Sequence, residues 1–387
     1  MVEKLFRKLK QVNELSSHMK VLEEKIRILE SNRTDLYKRI DEIWPRIGAI
    51  ESFVFPNEKF ITEEQEFRKG CSLFESTLVF HHQRIQICCS PLTDTPDFFF
   101  FPYESGSEES LKNVIKKYHE NKEILLEKWR KMDGGQCSKC THLTEGMFPS
   151  KPKVNTLHFP TGYDGSHCNF KCCYCNADAY FEDNDNCTNN LYETIVQLSD
   201  FFDFSGMFIS FSNGEFVTRK DADQILDFLF DKGAILSLVS NSSVYKESVV
   251  RFIRSGRMNG INTSLDAGTK ETFAKVKGVD CWEKVIGNIF RYSQLGCRYF
   301  LKYIILEDIN DNEIDINGFV DVCMQVKAAE VTISADKKLK MTRLSQNALY
   351  MVILLNNRLL ENKFKILFSS NDFNPDDLEY IYSHIIS

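Results

Sequence analysis

Val154-Asn155-Thr156-Leu157-His158-Phe159 alternates as a strand does, and shortly after it the chain reads Cys168-Asn169-Phe170-Lys171-Cys172-Cys173-Tyr174-Cys175. Five further strand-like runs follow: GMFISFS (206–212), AILSLVS (234–240), GINTSL (260–265), RYFLKYII (298–305) and EVTIS (330–334). Helical patterns such as DADQILDFLF (221–230) and EIDINGFVDVCMQV (313–326) separate them. Strands alternating with helices of about ten to fifteen residues predict parallel βαβ units. Six such units are fewer than the eight of a closed barrel, so the expected fold class is α/β, a partial (β/α)6 TIM-type barrel. A helix over Thr342–Glu361, a short strand KFKILF and a final helix complete the chain.

Working outward, three segments are expected: a coiled-coil helix over 1–46, a small α+β cysteine-rich module over 47–150, and the barrel with its C-terminal helices over 151–387. In the first, Val12, Leu15, Met19, Leu22, Ile26, Leu29, Leu36, Ile40 and Ile43 keep a heptad seam that only Arg33 interrupts. Such a seam predicts self-association, or else a long amphipathic helix docked on its own domain. Trp44-Pro45 stops it, because proline cannot continue the hydrogen-bond ladder.

Composition narrows the classes. Apolar residues make up 43% and charged residues 27% of 387, which fits a folded globular protein. The 48 Lys+Arg against 55 Asp+Glu give a net charge of -7, so no global field attracts nucleic acid. No apolar run is long enough to span a membrane, and the charged start MVEKLFRKLK cannot hold a signal peptide's apolar stretch, so a cytoplasmic protein is expected. In a reducing compartment the 13 cysteines point to metal ligands or catalytic groups rather than disulfides.

The CxxxCxxC of Cys168, Cys172 and Cys175 puts three thiolates on one loop. They can hold three irons of a 4Fe-4S cube and leave the fourth iron open. A zinc site, which would normally need a fourth protein ligand, and chance clustering are the alternatives. The motif resembles that of the radical S-adenosylmethionine superfamily, over roughly residues 151 to 340. The resemblance implies a 4Fe-4S cluster, S-adenosyl-L-methionine as its cofactor, and Tyr174 packed on the adenine. Ser212-Asn213-Gly214-Glu215-Phe216 looks like the family's GGEP loop, in which Gly214 and Glu215 would bind the methionine amine. Asn213 and Phe216 depart from that pattern. By the same resemblance Ser240, Asn241 and Ser264, at the ends of successive strands, would line the cofactor wall. Lys302 and Asn310 are candidates for the cofactor carboxylate and the substrate. Each strand-end polar residue has a plainer reading as a cap or turn residue.

Upstream, Cys71, Cys88, Cys137 and Cys140 could complete an all-thiolate sphere for zinc or a second cluster. Their order resembles the SPASM or twitch modules of the same superfamily, with Cys88 preferred to Cys89, and implies an auxiliary 4Fe-4S cluster. Those modules commonly follow the barrel, whereas these cysteines precede it. The remaining cysteines read as small buried thiols.

The expected function is reductive cleavage of S-adenosylmethionine to a 5'-deoxyadenosyl radical, which takes hydrogen from a carbohydrate or other small polar substrate. The alternatives are a peptide-modifying maturase and, from another class, a non-catalytic zinc-binding coiled-coil scaffold. A flavodoxin- or ferredoxin-type electron donor and a homo-oligomer are the expected partners.

Overall fold

A computed structural model describes residues 64–81, 84–87, 96–104, 106–140, 142–161, 168–175, 191–336, 338 and 342–385. The expected coiled coil at 1–46, together with Cys88, Cys89 and Cys187, lies outside the described residues. From Glu64 onward the chain forms one unit.

Its strands are β1 (Gln65–Gly70), β2 (Thr77–Phe80), β3 (Arg84–Gln86), β4 (Phe100–Pro102), β5 (Thr144–Pro149), β6 (Thr156–Pro160), β7 (Phe208–Ser212), β8 (Ile235–Val239), β9 (Met258–Ser264), β10 (Tyr299–Ile305), β11 (Glu330–Ala335) and β12 (Ile366–Phe368). The main sheet runs β12-β11-β10-β9-β8-β7-β6-β2-β3-β4. Strands β6 to β11 are the six expected from sequence, and each pairs parallel with the next. Helices Leu191–Leu198, Ala222–Asp231, Glu247–Arg254, Lys270–Lys277, Trp282–Gln294 and Glu313–Val326 lie between them in sequence. The sheet is that of a partial barrel and does not close among the described residues.

Alternation along each strand separates two faces. Leu157, Phe159, Ile209, Phe211, Leu236, Leu238, Leu301, Tyr303, Val331 and Ile333 are buried on the face the helices cover. The opposite face, the barrel interior, carries His158, Ser210, Ser237, Asn262, Ser264, Lys302 and Thr332, all partly exposed. In register, Ser264 lies opposite Lys302 and Lys302 opposite Thr332. One close approach fixes the helix Glu313–Val326 against the loop after β9. A Cβ on Gly268 would lie 1.9 Å from the Asp315 carbonyl oxygen, and one on Gly318 2.2 Å from that of Gly268.

The segment before the barrel departs from expectation. SLFESTLVF is not one strand: Ser72–Ser76 is a helical turn and only Thr77–Phe80 is extended. The turn forms because the Cys71 backbone N–H bonds Glu75 Oε1 at 3.2 Å while both Glu75 oxygens accept from Arg68, at 2.7 and 2.8 Å. Cys71 therefore stands at a helix entry and not within a strand. The boundary at 150 does not interrupt the sheet, since β2 pairs parallel with β6 and β3 and β4 extend the same edge. Strands β1 and β5, which the sequence reading missed, form a separate antiparallel pair.

Candidate active site

Left-handed residues gather at the strand ends. Asn213 (φ +50°) and Gly214 (φ +84°) follow β7, Ser242 (φ +58°) follows β8, and Asp266 (φ +56°) follows β9. Asparagine tolerates this region better than most residues, so Asn213 preserves a turn in which glycine would be unstrained. The Thr161 hydroxyl bonds the carbonyls of Ser212 and Asn213 at 3.2 and 3.0 Å, and Phe216 stacks on Phe211 with centroids 3.7 Å apart. Phe216 thus anchors the turn by packing where the family pattern has proline.

This turn delivers Glu215 into a buried site at which three of the expected residues meet. The Ser240 hydroxyl donates to Glu215 Oε1 at 2.7 Å, and the Asn241 backbone N–H donates to Oε2 at 2.5 Å. Burial nevertheless pushes the carboxyl up to about 7, because removal from water outweighs those bonds. The Asn241 side chain then reaches the cysteine loop. Its Nδ2 donates to Asn169 Oδ1 at 2.8 Å and approaches Cys168 Sγ at 3.6 Å, while its Oδ1 accepts from the Ser243 N–H at 2.9 Å.

The cysteine loop is also fastened to the end of the helix Lys270–Lys277. The Lys171 and Cys173 N–H groups donate to the Lys277 and Val276 carbonyls at 3.0 and 2.9 Å. Gly278 ends that helix at φ +68°, and a Cβ there would lie 2.7 Å from the Lys171 carbonyl oxygen. Behind the loop, the Tyr174 hydroxyl donates to Asp266 Oδ2 at 2.6 Å. Lys277 Nζ donates to both, at 2.8 Å to Tyr174 and 2.5 Å to Asp266. Burial pushes the Cys172 thiol up to about 11, and Lys277 opposes this. The Cys168 thiol is raised by burial too, with Asn241 opposing.

The other expected residues are placed less directly. Lys302 Nζ faces Asp372 Oδ2 at 3.6 Å. Ser264 is half-buried beside it on β9. Asn310 is a structural residue and not a substrate contact: fully buried, it bonds the Asp266 and Ile304 carbonyls and accepts from the Leu306 N–H, at 2.9, 2.8 and 2.7 Å. Cys71 and Cys137 are buried, and Cys140 is half-buried after the short 3-10 turn Gly135–Cys137. The β1–β5 register sets Gly70, the residue before Cys71, opposite Thr144, which follows Cys140 closely. Among the described residues no three His, Cys, Asp or Glu side chains converge as a ready-made metal site.

Sequence reasoning missed His158, whose Nε2 lies 2.8 Å from Ser212 Oγ and which burial keeps neutral, near 4. It also missed Ser334, whose buried hydroxyl has no partner at the end of β11. Strand alternation places both on the interior face, a signal present in the sequence.

The model of the Radical SAM superfamily matches residues 164–317. The chain carries a radical SAM domain. It is 27% identical over 157 residues to the GTP 3',8-cyclase of Nautilia profundicola, covering 38% of this chain and 48% of that protein. It is 23% identical over 173 residues to the GTP 3',8-cyclase of Psychromonas ingrahamii, covering 44% and 51%. The chain thus spans about half the length of the curated relatives it matches. Among solved structures, Streptococcus suis SuiB bound to S-adenosylmethionine is 14% identical, with a TM-score of 0.42 over 68% of this chain and 58% of that one. A radical SAM domain implies a 4Fe-4S cluster and S-adenosylmethionine. The donor set fits: three thiols share one loop, with an amide N–H directed at the Cys168 sulfur and a buried ammonium beside Cys172. Both favour the thiolate form that binds iron. Among the described residues no helix is long and apolar enough to cross a membrane.

Proposed function

We propose that this chain is a radical enzyme whose Cys168, Cys172 and Cys175 hold a 4Fe-4S cluster and whose interior face holds a small, uncharged polar substrate such as a carbohydrate. When bound, the cluster and S-adenosylmethionine supply a 5'-deoxyadenosyl radical able to take hydrogen from an unactivated carbon. The observation that carries the reading is the span of Asn241: its backbone N–H holds Glu215, its side chain approaches Cys168, and the amine-binding carboxylate is thereby tied to the cluster loop. Glu215 then accepts from the cofactor ammonium, and Ser240 and Asn241 keep the carboxylate aimed. A non-catalytic zinc scaffold has no use for this arrangement.

The substrate class follows from the interior face of β6 to β11. Beyond His158 and the hydroxyl and amide side chains, its charged residues are Lys302 and Glu330, each already facing an opposite charge, at 3.6 Å and 2.5 Å. A triphosphate would need uncommitted cations there. Hydroxyl and amide groups instead match the donors and acceptors of a polyol. Cys71, Cys88, Cys137 and Cys140 are assigned to an auxiliary 4Fe-4S cluster, the segment 1–46 to self-association, and reducing power to a flavodoxin- or ferredoxin-type donor.

The test is an anaerobic incubation of reconstituted protein with S-adenosylmethionine and dithionite, with sugars, nucleotide sugars or GTP added separately. The reading predicts 5'-deoxyadenosine in every case and a new product with a neutral sugar moiety. A product from GTP alone would replace the substrate assignment, and absence of 5'-deoxyadenosine throughout would remove the enzyme itself.

A further inference from the structure

The hydroxyl of Tyr174 has a task that an adenine-stacking ring does not need, and the following rests on the reading of Cys168, Cys172 and Cys175 as cluster ligands. The ring packs against Val276, Ile304 and Leu306. The hydroxyl meets the buried pair Asp266–Lys277 and also shares a side-chain hydrogen bond with Cys172. Asp266 cannot turn away, because its Oδ1 accepts from the Ile304 N–H at 2.8 Å and its carbonyl accepts from Asn310 at 2.9 Å. Both charged side chains are almost wholly withdrawn from solvent, so salt screens them little. Of the two charges, Lys277 acts more strongly on Cys172.

A thiol donates to the hydroxyl oxygen, whereas an iron-bound thiolate has no proton to give. The Tyr174 hydroxyl can then turn its own hydrogen to the sulfur while Lys277 keeps Asp266 paired. We propose that Asp266, Lys277 and Tyr174 form a positioning triad in which the tyrosine hydroxyl couples the buried ammonium to the Cys172 sulfur and raises the reduction potential of the cluster held there. Reduction adds negative charge to the cluster, and a hydrogen bond and a cation beside a ligand sulfur stabilise that added charge.

The experiment is a redox titration of anaerobically reconstituted protein, followed on the EPR signal that the triple variant Cys168→Ala, Cys172→Ala, Cys175→Ala lacks. Tyr174→Phe keeps the ring, and it should retain iron at the parent level while the signal titrates at more negative potential. The expected shift is roughly tenfold in the reduction equilibrium, or about 59 mV for one electron. Lys277→Gln alone leaves Asp266 buried and unpaired and can fail to fold. The double variant Asp266→Asn, Lys277→Gln removes both charges and should shift in the same direction. An unchanged potential in iron-loaded Tyr174→Phe, or an upward shift in the double variant, would overturn the triad's tuning role. Loss of iron from Tyr174→Phe would also overturn it, by making the hydroxyl an assembly contact. Failure of the underlying reading would look different: the parent protein itself would show no signal dependent on the three cysteines.

Discussion

Cys168, Cys172 and Cys175 ride on a loop that is half or fully exposed, whereas Cys71 and Cys137 are buried behind paired charges. The first loop is held from outside, by backbone bonds to Val276 and Lys277 and by side chains from the ends of β8 and β9. Around the second group, Arg68 is wholly buried and gives both Nη groups to Glu75, while Lys122 bonds the Glu75 and Pro152 carbonyls at 2.7 and 2.8 Å. Cysteines on an open, externally braced loop can admit a ligand without unfolding the elements beneath. Cysteines sealed among satisfied charges are tied to the folding of their segment, so any metal there should stabilise the chain by mass action.

The contrast predicts a hierarchy of effects. The largest is chemical. Replacing Cys168, Cys172 and Cys175 by alanine should abolish 5'-deoxyadenosine formation and remove about four irons, while Cys137→Ala with Cys140→Ala removes about four others. Parent protein with about four irons and one zinc would sink the auxiliary cluster and leave the barrel site standing. Next comes Arg68→Met, which strands the Glu75 carboxylate and should cost about 3–5 kcal/mol in urea unfolding. Cys168→Ala, on its open loop, should cost well under half of that. Similar losses for the two variants would erase the distinction between the regions.

Glu215 gives a pH signature of smaller size. Its carboxyl titrates near 7 in the folded chain against an ordinary 4.5, so between these values the folded state keeps a proton that the unfolded chain releases. Stability should therefore fall as pH rises through that window, by about 3 kcal/mol in all, and then level off. Glu215→Gln should flatten the slope. S-adenosylmethionine should bind the parent more tightly as pH rises through 7, and Glu215→Gln about ten- to hundredfold more weakly than the parent above it, with iron unchanged. Calorimetry at pH 6 and 8 distinguishes these outcomes. The smallest effect is Gly278→Ala, where left-handed backbone and the Lys171 carbonyl both resist a Cβ, for a loss of about 1–3 kcal/mol and slower cluster loading.

The barrel was legible because each of its strands is announced locally. The alternation in FISFS, ILSLV and FLKYII is a property of adjacent residues, and all six strands stand where the alternation set them. The pairing of β1 with β5 was not legible. QEFRKG buries its arginine and exposes Phe67, the reverse of what alternation implies, and TEGMFP carries the glycine and proline of a loop. Cys168, Glu215, Ser240 and Asn241 could be named from motif and strand ends, and the fold brings them together. Asn310 was misread because a buried asparagine that satisfies three backbone groups has the same letter as a ligand contact. The Tyr174 triad joins residues 92 and 103 positions apart, beyond the reach of any local pattern.

The central claim is that Glu215 and the cysteine loop form one site for a cluster and S-adenosylmethionine. Frozen-solution EPR of the dithionite-reduced protein, with and without S-adenosylmethionine, tests it most directly. The three-cysteine signal should change shape on addition of the cofactor, and in Glu215→Gln it should do so only at about ten- to hundredfold higher concentration. A reduced cluster whose spectrum ignores saturating S-adenosylmethionine would contradict the account.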